Sequence, residues 1–187
     1  MARKKAVEHH VLLSETEKLL LEKGYSAFHF GLLADRLGVG RSTIYEYYAN
    51  KDVLINAYIH SFAYERVEEC KKVLDIEDAN EQLKSFLRIF VKYSHIQQVI
   101  TMLVQMEDHS NGKVDTQPVR LLTKEIYRIS LVVIQNLKDT GIIRRELDDT
   151  FISYIMFNLI QMPNFRNHNE TQRLDEFVDF LLRGIGT

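Results

Sequence analysis

The chain holds one cysteine, two prolines and eight glycines in 187 residues. A lone cysteine, Cys70, excludes an internal disulfide framework and the usual cysteine-based zinc site, and it fits a reducing compartment. So few breakers leave room for long helices. Long hydrophobic runs are missing as well. The most apolar stretch, Phe151 to Met162, is apolar at 9 of 12 positions, too short to span a bilayer, and carries Ser153, Asn158 and Gln161. No apolar signal-peptide segment follows the basic start Arg3-Lys4-Lys5. An excess of either charge is absent too: the net charge is −2. What remains, 45% hydrophobic and 27% charged residues, is ordinary globular composition, and the length suffices for a core without staples. The expectation is a cytoplasmic protein of one or two domains with no membrane partner.

Charge is unevenly spread. Residues 1–52 carry net +1 and residues 53–187 net −3. A basic arm on a near-neutral head suits an anionic partner, and equally a plain solvated terminus.

Helical spacing dominates the chain. Leu12, Thr16, Leu19 and Leu20 form one stripe, ended by Gly24 as a left-handed cap would end it. Phe30, Leu33, Ala34 and Leu37 form a second, stopped at Gly38. A third short segment, Arg41 to Tyr48, has Ile44 and Tyr48 on one side. Asn50 can cap a much longer fourth helix that runs from Lys51 to about Asp75. Five more helices are expected over approximately 79–95, 97–109, 118–139, 149–162 and 172–184. The fold class is therefore all-α with about nine helices. A three-helix N-terminal head, residues 1–50, precedes a larger helical domain, residues 51–187.

The run Leu33-Ala34-Asp35-Arg36-Leu37-Gly38-Val39-Gly40-Arg41-Ser42-Thr43-Ile44-Tyr45 has helix-turn-helix form. Ala34 permits a close crossing, Gly38 a sharp turn, and Ile44 packs back on Leu33, Ala34 and Leu37. Arg41, Ser42, Thr43, Tyr45 and Tyr47 are then expected to point away from the small core. Arginine can bond guanine bidentately, and hydroxyls can reach base edges or phosphates. The same spacing would also serve an αα-corner with a polar outside.

Gly24-Tyr25, Leu33-Ala34, Gly38-Val39, Thr43-Ile44-Tyr45, Tyr47-Tyr48, Asn50-Lys51-Asp52 and Leu54 resemble, without a gap, the DNA-binding segment of TetR-family transcriptional regulators. The resemblance covers roughly residues 7–58. It implies an all-helical homodimer, most often a repressor, that binds a palindromic double-stranded operator. It places Arg41, Ser42, Thr43 and Tyr45 nearest the bases, and Thr43, Tyr47 and Lys51 at the phosphates. It also implies an effector site in the larger domain, whose filling moves the fourth helix and releases DNA. The chain departs from the family pattern in three places: Phe28-His29 stand where a threonine or serine often starts the second helix, Gly40 where a serine usually caps the third, and Ser42 where glycine is common. His29 could substitute as a donor.

In the larger domain, the segment 151–162 is apolar nearly all round and must be covered on more than one side. Leu174, Phe177, Val178, Leu181, Leu182 and Ile185 add a clean stripe on the last helix. Pairing these two helices with their copies would cover both, with Ile152, Ile155, Leu159, Phe177 and Leu181 at the dimer interface. Phe62, Phe90, Met102, Met106 and Tyr127 are the candidates for an adaptable pocket that takes a hydrophobic or amphipathic small molecule. The same residues would also make an ordinary core. No metal cluster, nucleotide loop or convergent acid–base set is found, so no cofactor, metal or catalytic residue is expected. The alternatives are an activator, a regulator without a small-molecule effector, a helical adaptor, or a helical enzyme.

Overall fold

The computed structural model describes residues 7–93, 115–162 and 164–185. The helix expected over 97–109, with Met102 and Met106, lies outside the described residues, as does the Arg3-Lys4-Lys5 arm. Among the described residues there are eight α-helices and no strand. They are α1 (His9–Ala27), α2 (Phe30–Leu37), α3 (Arg41–Tyr47), α4 (Lys51–Lys72), α5 (Ala79–Lys92), α6 (Gln117–Asp139), α7 (Asp149–Gln161) and α8 (Glu170–Ile185). A 3₁₀ turn, Val73–Asp75, follows α4. None of these helices is long and apolar enough to cross a membrane.

Local chemistry explains most of the boundaries. Asn50, Asp78 and Asp148 each accept the backbone N–H three residues on, capping α4, α5 and α7. Asn169 and Gln172 exchange backbone-to-side-chain bonds at 3.0 Å. That reciprocal box starts α8 at Glu170, two residues ahead of the stripe's own signal. At Gly24 the sequence suggested a left-handed stop. The backbone there has φ +73° and ψ 168°, a conformation open to glycine but strained for other residues. The chain kinks and adds one further turn to Ala27, and the N–H of Phe28 closes it on the carbonyls of Gly24 and Tyr25.

By contacts the chain divides into two compact units. The first holds the chain up to Ala63 and the segment ending at Val119; the second holds the rest from Tyr64. The division falls inside α4 because Leu54, Ile55, Tyr58 and Ile59 are buried in the head's core with Leu12, Leu19, Leu20, Phe28, Leu33 and Ile44. The second core gathers Leu83, Phe86 and Leu87 of α5, Ile129, Val133 and Ile134 of α6, Ile152 and Met156 of α7, and Leu174, Phe177 and Leu181 of α8. Each such buried side chain contributes roughly 1.5–3 kcal/mol.

Buried polar groups in the second core are paired. Gln82 donates to the carbonyls of Val73 and Ile76 and accepts from Asn136, tying the 3₁₀ turn to α5 and α6. The hydroxyls of Ser130 and Ser153 meet at 2.7 Å between α6 and α7. A polar residue on α7 therefore points inward.

Candidate nucleic-acid interface

The turn between α2 and α3 is built by backbone bonds. Gly38 has φ +65° and ψ 37°, the left-handed region. Its N–H reaches the carbonyl of Asp35, and the N–H of Val39 reaches that of Ala34. This double closure satisfies the last carbonyls of α2 and swings the chain into α3. At the other end of α2, His29 Nδ1 accepts from the N–H of Leu32 at 3.3 Å. Histidine thus fills the capping place that the sequence left without a hydroxyl. With Nδ1 accepting, Nε2 is the ring nitrogen left to donate. A Cβ on Gly31 would lie 3.0 Å from His29 Nδ1, so a side chain there would make the capping ring give way.

On α3, Ile44 and Thr43 are buried, while Arg41, Ser42, Tyr45, Glu46 and Tyr47 are exposed. Thr43 was expected on the outer face, and at 5% exposure it is not there. Neighbours on a helix stand about 100° apart, so a short helix lying across α2 buries two adjacent positions rather than one. A threonine is small enough to accompany Ile44. The outer face accordingly loses one of its expected hydroxyls.

The remaining side chains are held in place. The Tyr45 ring meets Phe30 edge-on, with centroids 4.9 Å apart at 65°. The Arg41 guanidinium lies over Tyr45, 5.5 Å from the ring centre, and Nη2 donates to the Tyr45 hydroxyl at 3.1 Å. Tyr47 accepts from the N–H of Val7 at 3.2 Å and donates to its carbonyl at 2.8 Å. It ties the chain just before α1 to α3, so the hydroxyl that the resemblance put at the phosphates is engaged within the head. The hydroxyl of Tyr48 lies 2.6 Å from His9 Nε2. Arg36 grips Glu22 with two bonds of 2.8 and 2.6 Å, joining α2 to α1.

Lys51 donates to the carbonyl of Tyr25 at 3.1 Å and sits 4.2 Å from its ring centre. The Tyr25 hydroxyl donates to Asp52 at 2.5 Å. Tyr25 is therefore the post on which the start of α4 is set, a role that no local signal announces. Burial first, and the bond to Asp52 second, push its phenol up from 10 to about 12. A raised value favours the protonated phenol in the folded head. Its contribution to stability is whole below pH 10 and is lost as pH climbs towards about 12. Tyr25→Phe should flatten the alkaline unfolding curve through this window, followed by circular dichroism; an unchanged slope would remove the effect from Tyr25.

Residues 12–58, the stretch that builds this head, match the family model of bacterial regulatory proteins, tetR family. The chain carries a TetR-family DNA-binding head. It is a DNA-binding transcriptional regulator. An HTH-type transcriptional regulator of uncharacterised role from Bacillus subtilis (strain 168), YvaF, is 25% identical over 179 residues, 93% of each chain. Many solved structures share the fold. The ketosteroid transcriptional regulator KstR2 of Mycobacterium tuberculosis matches with a TM-score of 0.71 at 14% identity, over 99% of this chain and 100% of that one. FadR of Bacillus subtilis, in complex with stearoyl-CoA, matches with a TM-score of 0.69 at 18% identity, over 95% and 100%.

Outside its TetR head, the protein departs from the expected placements. Ile152, Phe177 and Leu181 were assigned to a dimer interface, yet they are buried in the core of their own unit, which leaves little of their surface for a partner. Ile155 and Leu159 are half-buried against that same core. The outward side chains are Phe151, Tyr154 and Phe180, each more than half exposed. The expected pocket residues are also divided. Phe62 packs on the first unit's core. Phe90 stacks edge-on between Phe86 and Phe157 in the second, where Tyr127 donates to Thr150 at 3.2 Å. A groove of about 270 Å³ in the second unit contains none of them. Val73, Ile76 and Ile89 give it apolar walls, Lys72, Arg88 and Lys92 supply cations, and the Glu69 carboxylate in the same lining pairs with Lys92 at 3.3 Å.

Proposed function

We propose that this TetR-family protein is a homodimeric, cytoplasmic repressor that reads a palindromic operator through α3 and is released by an amphipathic small molecule. Residues 1–50, together with Lys51 at the start of α4, make the DNA contacts, and residues 51–187 carry the effector site and the dimer face. One observation carries the reading: α3 buries Thr43 and Ile44 behind a closed turn and leaves Arg41, Ser42 and Tyr45 outward. A helix so presented suits a major groove. Lys51 and the Nε2–H of His29 are the donors this reading assigns to the phosphates beside it.

Duplexes selected from a random pool by the full chain supply the operator. Arg41→Ala should then cost about 1–3 kcal/mol at one base pair per half-site. Lys51→Ala should weaken all sequences alike and shallow the salt dependence. Both variants binding like the parent at several salt concentrations would refute the groove assignment.

For the effector, long-chain acyl-CoA is the first class to try. A fold relative carries stearoyl-CoA, and the cations and apolar walls of the groove match a molecule with an anionic end and an apolar one. Release requires the effector to bind the DNA-incompetent arrangement more tightly. Stearoyl-CoA should therefore raise the melting temperature and free the operator. At a hundredfold its dissociation constant it adds about 2.7 kcal/mol. No thermal shift with acyl-CoAs of any chain length would exclude the class.

A further inference from the structure

The geometry points to Tyr45 as a positioning residue that holds the Arg41 guanidinium ready for guanine and so sets base preference at one position of each half-site. This rests on the reading of α3 as the groove helix. Arg41 opens α3, and Tyr45 stands one turn on, the i, i+4 spacing at which helix side chains meet. The guanidinium lies over the ring, and one Nη2–H goes to the phenol oxygen at 3.1 Å. Among the described residues Arg41 has no carboxylate partner. Arg36 of the same head offers the contrast: Glu22 neutralises it with two bonds.

An aromatic face steadies a cation without cancelling its charge, so the arginine stays attractive to DNA. Tyr45 is itself steadied, because Phe30, buried at 3% exposure, meets its ring edge-on. Phe30 sits at the first position of α2, capped by His29. The chain of contacts thus runs from the buried start of α2 to the exposed guanidinium. One of five N–H donors is used in holding the group, which leaves a pair for the O6 and N7 of guanine.

The test uses the full chain and its selected operator. The readout is the ratio of affinities for that operator and for one in which the Arg41-dependent guanine is replaced by adenine. Tyr45→Phe keeps the ring and its packing on Phe30 and removes only the anchoring oxygen. It should lower the ratio about three- to tenfold, the range of a single modest hydrogen bond, without changing the salt slope or the melting temperature. In an Arg41→Ala background the same change should leave the ratio where it is, since nothing remains to be positioned. Equal losses in both backgrounds would show Tyr45 touching DNA on its own account and overturn the inference. So would an unchanged ratio in Tyr45→Phe alone. If Arg41→Ala itself shifts no base preference, the reading of α3 fails first, and that result is visible without any Tyr45 variant.

Discussion

Glutamate at both Tyr154 and Phe180 should convert the protein into a folded monomer that no longer holds its operator. Both side chains are about 60% exposed on α7 and α8, so neither substitution disturbs the core of the second unit. Phe151 lies one turn before Tyr154 and is exposed as well, which makes the outer side of α7 an aromatic face. Exposed aromatics gathered in this way are what an interface covers. In a two-fold interface each substitution appears twice, so four carboxylates would be pressed into a surface built for apolar contact. Joining two heads multiplies affinity, and separating them should cost about a hundredfold or more in operator binding. Light scattering reads the mass and circular dichroism the helix content. Leu181→Glu should behave otherwise. Leu181 is 2% exposed, so its glutamate lands in the unit's own core and unfolds it. A double variant that stays dimeric and keeps its operator affinity would move the dimer contact elsewhere on the molecule.

Removing the Lys138 ammonium should be among the most damaging single changes in the second unit. Lys138 lies in the last turn of α6, with its side chain 9% exposed. Its Nζ pairs with Asp149 at 2.5 Å and also donates to the carbonyl of Leu147. The two contacts lock the end of α6 to the start of α7. Lys138→Ala leaves a carbonyl and a carboxylate without the cation that served both. Asp149 keeps some access to water and sits in the first turn of α7, where the helix N-terminus offers partial relief. The expected loss is therefore near the low end for a broken buried pair, about 3 kcal/mol. Denaturant unfolding with an unchanged slope would measure it. Lys138→Met with Asp149→Asn should recover part of the loss by removing both charges. A loss below about 1 kcal/mol for Lys138→Ala would mean the pair behaves like a surface ion pair.

The sequence by itself determined where α4, α5 and α7 begin and where α2 ends, and what kind of head residues 7–58 make. Caps at Asn50, Asp78 and Asp148 and the turn at Gly38 each act within a few residues, so their chemistry lies in short strings of letters. The stripes of α2 and α3 were legible for the same reason. Tertiary structure decided which residues of each stripe touch what. Tyr47 is tied to Val7 across 40 residues, and Lys51 to Tyr25 across 26, where no local pattern could announce the pairing. Thr43 went inward because a helix lying across α2 buries a width set by its neighbour. On α7, apolar residues stand on nearly every side, and Ser153 turns inward to meet Ser130, so polarity could not say which face was the outer one. That choice placed Ile152, Phe177 and Leu181 in the core and left Tyr154 and Phe180 outside. Periodicity sets the angle of a side chain about its own helix axis, whereas which neighbour covers that angle is settled only by packing in three dimensions.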